Sequence, residues 1–193
     1  MNVAEAEQFA LSTLASGLSP TLYYHGLHHV LDVVEAANRI AQAEQITDNE
    51  SLDLLRTAAL YHDIGFISTY SGHEEWGCQY VRDVLPRFGY KPDQIDIICG
   101  MIMATRVPQV PQNKLEKVLC DADLDYLGRD DFEPIAHSLY NELKARNMVI
   151  DEVAWNHIQV KFLENHRYWT PTAVTTRQAS KQQHLDALRQ SMA

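Results

Sequence analysis

The sequence contains few cysteines and no segment that could cross a membrane. Its three cysteines, Cys78, Cys99 and Cys120, are an odd number, lie far apart and form no CxxC pair. This pattern favours reduced, buried thiols in a cytoplasmic protein over a disulfide framework. No run of 18 apolar residues occurs, and the stretch after Met1 is acidic without a basic region. We therefore expect neither a membrane span nor a signal peptide.

Positive charge is also scarce. The chain has 16 Lys and Arg against 26 Asp and Glu, which gives a net charge of −10, and no block of Lys or Arg offsets it. Duplex nucleic acid and anionic membranes are therefore not expected partners. A phosphorylated substrate would need a metal or a few local cations to overcome this negative background.

Alternating strand patterns, repeats and low-complexity tracts are absent, and nearly every segment has apolar residues at helical spacing. We predict one all-α domain over residues 1–193, with a motif-bearing core at about 20–130 and additional helices at 131–193. The predicted helices, about eight or nine, lie at 2–17, 25–44, 49–62, 73–87, 92–105, 113–127, 131–147, 151–166 and 172–190. The polar last helix is the part expected either to be mobile or to meet another subunit, as in a homodimer.

An apolar segment ends in the adjacent pair His62 and Asp63, with Gly65 close behind. Neutral imidazole and carboxylate are both good ligands for a divalent metal of intermediate hardness. Neighbouring side chains diverge by about 100° in a helix, so both can reach one ion only at a helix end. Gly65 could supply a left-handed stop there. The pair alone is weak evidence and needs partners.

Three further segments carry metal-binding or titratable side chains. They are Tyr24-His25-Gly26-Leu27-His28-His29-Val30, Gly72-His73-Glu74 and Val118-Leu119-Cys120-Asp121-Ala122-Asp123-Leu124. His25 and His29 are four residues apart and would share a helix face. The carboxylates of the third segment are embedded in an apolar helix, where an unpaired charge is costly, so they need a cation or hydrogen-bond donors.

The motif order Tyr-His-x-x-x-His, Ala-x-x-x-His-Asp-x-Gly, His-Glu and Asp-Ala-Asp-Leu-x-x-x-Gly resembles the HD superfamily of metal-dependent phosphohydrolases. The resemblance implies one divalent metal ion, which could be Mn, Fe, Co, Ni, Zn or Mg. The implied ligands are His29, His62, Asp63 and Asp121, with Asp123 in a supporting part. Only one histidine, His73, lies between the pair and the last Asp. A single metal is therefore implied, not the di-iron centre of the oxygenase branch.

The resemblance implies hydrolysis of a phosphate ester or anhydride by a metal-activated water, and a nucleotide is the favoured small phosphorylated substrate. Either His73 or His25 would protonate the leaving oxygen. Lys117, one helical turn before Asp121, matches a basic position in relatives.

Each of these residues also has a structural alternative. His73 could be a polar first-turn residue, His25 could tighten a helix start or support a ligand, and Lys117 could pair with Asp121. An alternative for the whole chain is a metal-binding regulatory module with little turnover.

Overall fold

The helical spacing of the sequence produces an entirely helical fold. In the computed structural model, which describes residues 1–192, nine α-helices occur and no strand is present within that range. They are α1 (Val3–Gly17), α2 (Leu27–Ala43), α3 (Asn49–Tyr61), α4 (His73–Val84), α5 (Pro92–Thr105), α6 (Lys114–Asp123), α7 (Phe132–Ala145), α8 (Glu152–Asn165) and α9 (Pro171–Ser191). Short 3-10 helices lie at Ile64–Ile67, Leu85–Phe88 and Asp125–Gly128. The predicted all-α class is confirmed, and none of the helices between residues 1 and 192 has the length and apolar character to cross a bilayer.

Several helices start where the sequence provides a polar cap. The Asp48 carboxylate accepts a hydrogen bond from the Ser51 N–H at 2.7 Å at the start of α3. The Asp151 carboxylate accepts one from the Ala154 N–H at 2.8 Å at the start of α8. These bonds satisfy backbone N–H groups that have no partner inside the helix, which is why these two helix starts could be predicted.

The ends of two helices differ from the prediction in places that matter for function. α2 begins at Leu27 rather than His25, because the backbone of the preceding Gly26 is extended. α6 ends at Asp123 rather than Leu127, and the chain continues as a 3-10 helix whose apolar residues keep a helix-like spacing. His25 therefore lies outside α2, and Asp123 is the last residue of α6.

α4 also ends early, at Val84 rather than near Arg87. Pro86 has no N–H with which to continue the helix, and the chain forms a 3-10 turn instead. That turn stops at Gly89, whose φ of 75° lies in the left-handed region that glycine tolerates best.

Two hydrophobic clusters fill the interior. The first cluster contains residues from each of the helices α1 through α6, and within it α2 packs against both α3 and α6. The second includes residues before α2, residues after α6 and residues of α7 to α9: Tyr24, Leu124, Tyr126, Leu127, Phe132, Tyr140, Trp155, Leu163 and Leu185. The three cysteines are buried and free. The segments that carry the histidines and aspartates lie where the two clusters meet.

Asp125 ties the end of α6 to the C-terminal helices. Its buried carboxylate pairs with Arg177 Nε of α9 at 2.8 Å and with Arg39 Nη2 of α2 at 2.7 Å. Gly128 lies so close to α9 that a Cβ there would be 2.4 Å from the Arg177 carbonyl oxygen. Because Asp125 follows Asp123 by two residues, these contacts with α9 and α2 help to fix the position of the end of α6.

Candidate metal centre

Three helices bring His29, His62 and Asp123 together. His29 lies on α2, His62 directly follows α3, and Asp123 ends α6. One possible ligand atom from each lies within 4.8 Å of the others. His29 Nε2 is 3.4 Å from His62 Nε2 and 3.2 Å from Asp123 Oδ1. Two ring nitrogens and one carboxylate oxygen thus converge where α2 packs against α3 and α6.

Asp63 adds a second carboxylate to this cluster. Its Oδ2 lies 3.4 Å from His29 Nε2 and 3.3 Å from His62 Nε2. That oxygen is buried and has no hydrogen-bond partner among the residues that the structure describes. A buried carboxylate oxygen without a partner is costly. This oxygen faces two ring nitrogens, which Asp123 also contacts, so the donor set fits a divalent cation that accepts mixed nitrogen and oxygen ligands.

The two carboxylates favour positive charge at this place. Burial raises the pKa of Asp63, but His62, together with His25 and His29, outweighs burial and holds that pKa well below its usual range. Burial also raises the pKa of Asp123, and contacts with His29 and His62 lower it to about 2. Burial lowers the pKa of His62, yet the two aspartates raise it well above its usual value. Both carboxylates are therefore ionised at neutral pH, and a bound cation would offset their charge.

The predicted helix end at the His-Asp pair is confirmed. α3 stops at Tyr61, and a 3-10 helix begins at Ile64. The His62 Nδ1 lies 2.8 Å from the Ala59 carbonyl oxygen. A carbonyl only accepts, so Nδ1 carries the proton and Nε2 is the nitrogen free to bind metal.

Gly65 has a different role from the left-handed stop that its position suggested, since its φ is not positive. Instead, a Cβ on Gly65 would lie 1.9 Å from the His73 carbonyl oxygen. The missing side chain lets the start of α4 approach the pair.

The structure does not bring Asp121 to the cluster. Its Oδ1 accepts a hydrogen bond from the Trp169 N–H at 2.8 Å, and its Oδ2 accepts one from the Thr170 N–H at 2.7 Å. Burial raises the pKa of Asp121 to about 6, although these two bonds act in the opposite direction. Residues two apart on a helix point about 200° apart, so only one of the two aspartates can face the histidines. Asp123 takes the place that the resemblance gave to Asp121.

His25 is held by Glu142 of α7, a residue that the sequence motifs did not indicate. Glu142 is fully buried and accepts hydrogen bonds from the backbone N–H groups of Tyr24 and His25 at 2.8 and 3.0 Å. It also contacts His25 Nδ1 at 2.5 Å and accepts the Tyr70 hydroxyl at 2.9 Å. Burial raises the pKa of Glu142, but the bond to His25 brings it down to about 2. An ionised carboxylate only accepts, so His25 Nδ1 carries a proton and the Nε2 side of the ring is left for other contacts.

His73 packs against the same phenylalanine ring, Phe66, as His25 does, and the centroids of the two histidine rings are 6.3 Å apart. The Phe66 ring stacks on His25 at 4.1 Å and on His73 at 4.0 Å between ring centroids. His73 Nε2 is 3.5 Å from Asp63 Oδ1. Both histidines line a cavity of about 580 Å³ that also reaches Asp63 and Asp123. The structure thus brings both predicted proton donors to the metal centre.

Lys117 does not take part in this arrangement. It lies on α6, is half-buried, and is not among the residues that line the cavity. The structure therefore gives no support to a catalytic role for it.

The close approach at Gly65 leads to a stability prediction. We expect Gly65→Ala to lower the free energy of unfolding by about 1–3 kcal/mol, because the new methyl group would overlap the His73 backbone. Gly77→Ala is the matched control, since a Cβ on Gly77 would meet its nearest neighbour at an ordinary 3.7 Å and alanine favours a helix. Urea denaturation of both variants measures the difference, and equal stabilities would contradict the close packing at Gly65.

A family model described as HD domain matches residues 26–125. Two solved structures share the fold over nearly the whole chain. One is described as a predicted HD superfamily hydrolase from an uncultured Thermotogales bacterium; it is 22% identical, has a TM-score of 0.62, and the match covers 97% of this chain and 90% of that one. The other is a protein from Lactobacillus plantarum, 16% identical with a TM-score of 0.69, and the match covers 98% and 96% of the two chains. No curated protein matches.

Proposed function

This chain belongs to the HD domain family, and on that premise we propose that it is a metal-dependent phosphohydrolase that cleaves a phosphate ester or anhydride of a small metabolite. One observation carries the proposal. The buried Asp63 Oδ2, which has no hydrogen-bond partner among residues 1–192, faces the ring nitrogens of His29 and His62 beside a cavity of about 580 Å³. A catalytic cation and a small substrate would fit next to each other there.

The residues that would hold the metal are His29, His62, Asp63 and Asp123. Two nitrogens and two oxygens leave positions for other ligands on a five- or six-coordinate Mn²⁺, Fe²⁺, Co²⁺ or Ni²⁺, and on Zn²⁺ where it expands beyond its usual four ligands. When bound, such an ion would lower the pKa of a water molecule and polarise a phosphoryl oxygen.

The chain's own residues would supply the proton for the leaving group. Two histidines line the cavity, and of these His25 is held by a buried, ionised carboxylate, Glu142. A carboxylate that fixes the tautomer and the orientation of an imidazole is a common way to position a general acid or base. We therefore propose that His25 donates the proton to the leaving group. His73, whose Nε2 lies 3.5 Å from Asp63 Oδ1, would contact the substrate phosphate.

The proposal is tested with purified, metal-stripped protein to which single divalent metals are restored. We expect saturable release of phosphate from at least one member of a panel of phosphomonoesters, nucleotides and nucleoside triphosphates, and no release when a chelator is present. Elemental analysis of the same samples should give one metal ion per chain. Tight metal binding without turnover across the panel would contradict the proposal and favour a regulatory metal-binding module.

A further inference from the structure

The cavity beside the metal centre extends well beyond the place where a phosphate would bind. Its volume of about 580 Å³ lies within the range of small-molecule sites, roughly 300–1,000 Å³. Asp63 and Asp123 line it near the metal centre, and Trp155 and Leu163 of α8 line it within the second hydrophobic cluster. A substrate that consisted of little more than phosphate would leave most of this space empty.

Cationic side chains are scarce around the cavity. Within the described residues, Arg106 is the only Lys or Arg that lines it. Arg106 is exposed and already forms an ion pair with Glu75. Proteins usually bind chains of phosphates with several Arg, Lys or backbone N–H donors. The cavity therefore suits a substrate with a single phosphate group at the metal centre.

The wall formed by α7 and α8 is almost entirely apolar. Its residues are Phe132, Leu139, Leu143, Trp155, Ile158, Gln159, Phe162 and Leu163. Apart from the Trp155 indole, Gln159 is the only polar side chain on this wall, and its amide donates to Asn156 Oδ1 at 3.3 Å. A nucleobase and ribose would place several donors and acceptors against this wall without partners, which weakens binding.

We propose that the α7–α8 wall binds the alkyl or aryl group of a phosphate monoester, with its phosphate against the metal centre. This inference rests on the proposed function and narrows its substrate class. A nucleotide, which the sequence resemblance favours, is the competing outcome. Hydrolysis would break the P–O bond to an apolar alcohol or phenol, with water as co-reactant, and would release inorganic phosphate and that alcohol.

Binding of non-hydrolysable alkylphosphonates tests the wall without turnover. Calorimetry on the full, metal-loaded chain would compare methyl-, butyl-, hexyl- and octylphosphonate with AMP and ATP, each nucleotide supplied as its non-hydrolysable phosphonate analogue. We expect affinity to rise about fourfold for each methylene that enters the cavity, and octylphosphonate to bind more tightly than either nucleotide. Affinity that is independent of chain length, or tighter binding of AMP or ATP, would overturn the inference.

A pair of matched variants locates the binding wall. Ile158 on α8 lines the cavity and is 45% exposed, and Ile97 on α5 does not line it and is 44% exposed. Both positions should tolerate glutamine in a helix. We expect Ile158→Gln to weaken octylphosphonate binding about tenfold and to leave methylphosphonate binding unchanged, whereas Ile97→Gln should match the wild type for both. Equal effects of the two variants, or no effect of either, would place the alkyl chain elsewhere and overturn the inference.

The two proposals can fail separately. Chain-length-dependent phosphonate binding without phosphate release from octyl phosphate, phenyl phosphate or any nucleotide of the panel would support the apolar wall and contradict the phosphohydrolase. Hydrolysis of nucleotides in preference to octyl and phenyl phosphate would support the phosphohydrolase and contradict the apolar wall.

Discussion

Asp123→Ala is expected to lower metal affinity by more than about 100-fold, whereas Asp121→Ala should keep metal affinity close to that of the wild type. Changes behind the ligands of a metal site typically cost 10–100-fold, so loss of a ligand should cost more. Asp123 Oδ1 lies 3.2 Å from His29 Nε2 and 3.6 Å from His62 Nε2. Both Asp121 oxygens are instead occupied by backbone N–H groups.

The two variants should also differ in stability, and here Asp121→Ala should be the more strongly affected of the two. Asp121→Ala leaves the N–H groups of Trp169 and Thr170 without their acceptor, so we expect the free energy of unfolding to fall by about 1–3 kcal/mol. Asp123 contacts the rings of His29 and His62 but accepts no backbone N–H within residues 1–192, so we expect Asp123→Ala to cost less in the absence of metal. Competition with a chromophoric chelator and urea denaturation measure the two quantities. Metal loss in Asp121→Ala together with retention in Asp123→Ala would restore the assignment drawn from the sequence.

Which of these two aspartates faces the histidines could not be predicted from the sequence. Both lie in the same apolar helix, and either could be costly there without a partner. The deciding fact is which face of α6 meets α2 and α3, and the partners of Asp121 lie 48 and 49 residues further along the chain. The motif order identified the helix, but only the packing distinguishes a ligand from a residue that holds the segment before α9.

The starts of α3 and α8 were predictable because a local sequence signal marks each of them. Asp48 and Asp151 cap helices through their own side chains. The end of α6 was missed because Leu124 and Leu127 keep the apolar spacing through the following 3-10 helix. Just after α6 ends, Asp125 pairs with Arg39 and Arg177. These partners are distant in sequence, so no local pattern indicates them.

Glu142 was missed for a related reason. It lies 117 residues after His25, and no motif surrounds it. One signal was available, since Glu142 follows Ile135 and Leu139 at helical spacing and is therefore a carboxylate on the apolar stripe of a predicted helix. A buried carboxylate there requires a donor, but the sequence does not show which one.

His25→Ala should leave metal content intact and lower kcat on an alkyl phosphate by about 10²–10⁴, the usual contribution of a general acid. The loss should shrink with p-nitrophenyl phosphate, because nitrophenolate leaves without a proton. Glu142→Gln should give a smaller loss with the same dependence on leaving group, since the ring would remain but its orientation would be held less firmly. His137, exposed on α7, provides the control variant His137→Ala, which should behave as the wild type.

The variant His73→Ala distinguishes the role of His73 from that of His25. The acidic contacts of the His73 ring within the described residues are Asp63 at 3.5 Å and Glu74 at 3.6 Å, both longer than an ordinary hydrogen bond. We expect its loss to slow alkyl and p-nitrophenyl phosphate hydrolysis to the same extent, as removal of a phosphate contact would. Steady-state kinetics on both substrates, with metal content measured in parallel, distinguish the roles. If His73→Ala spares p-nitrophenyl phosphate and His25→Ala does not, His73 is the proton donor, and Glu142 serves only to hold the segment before α2.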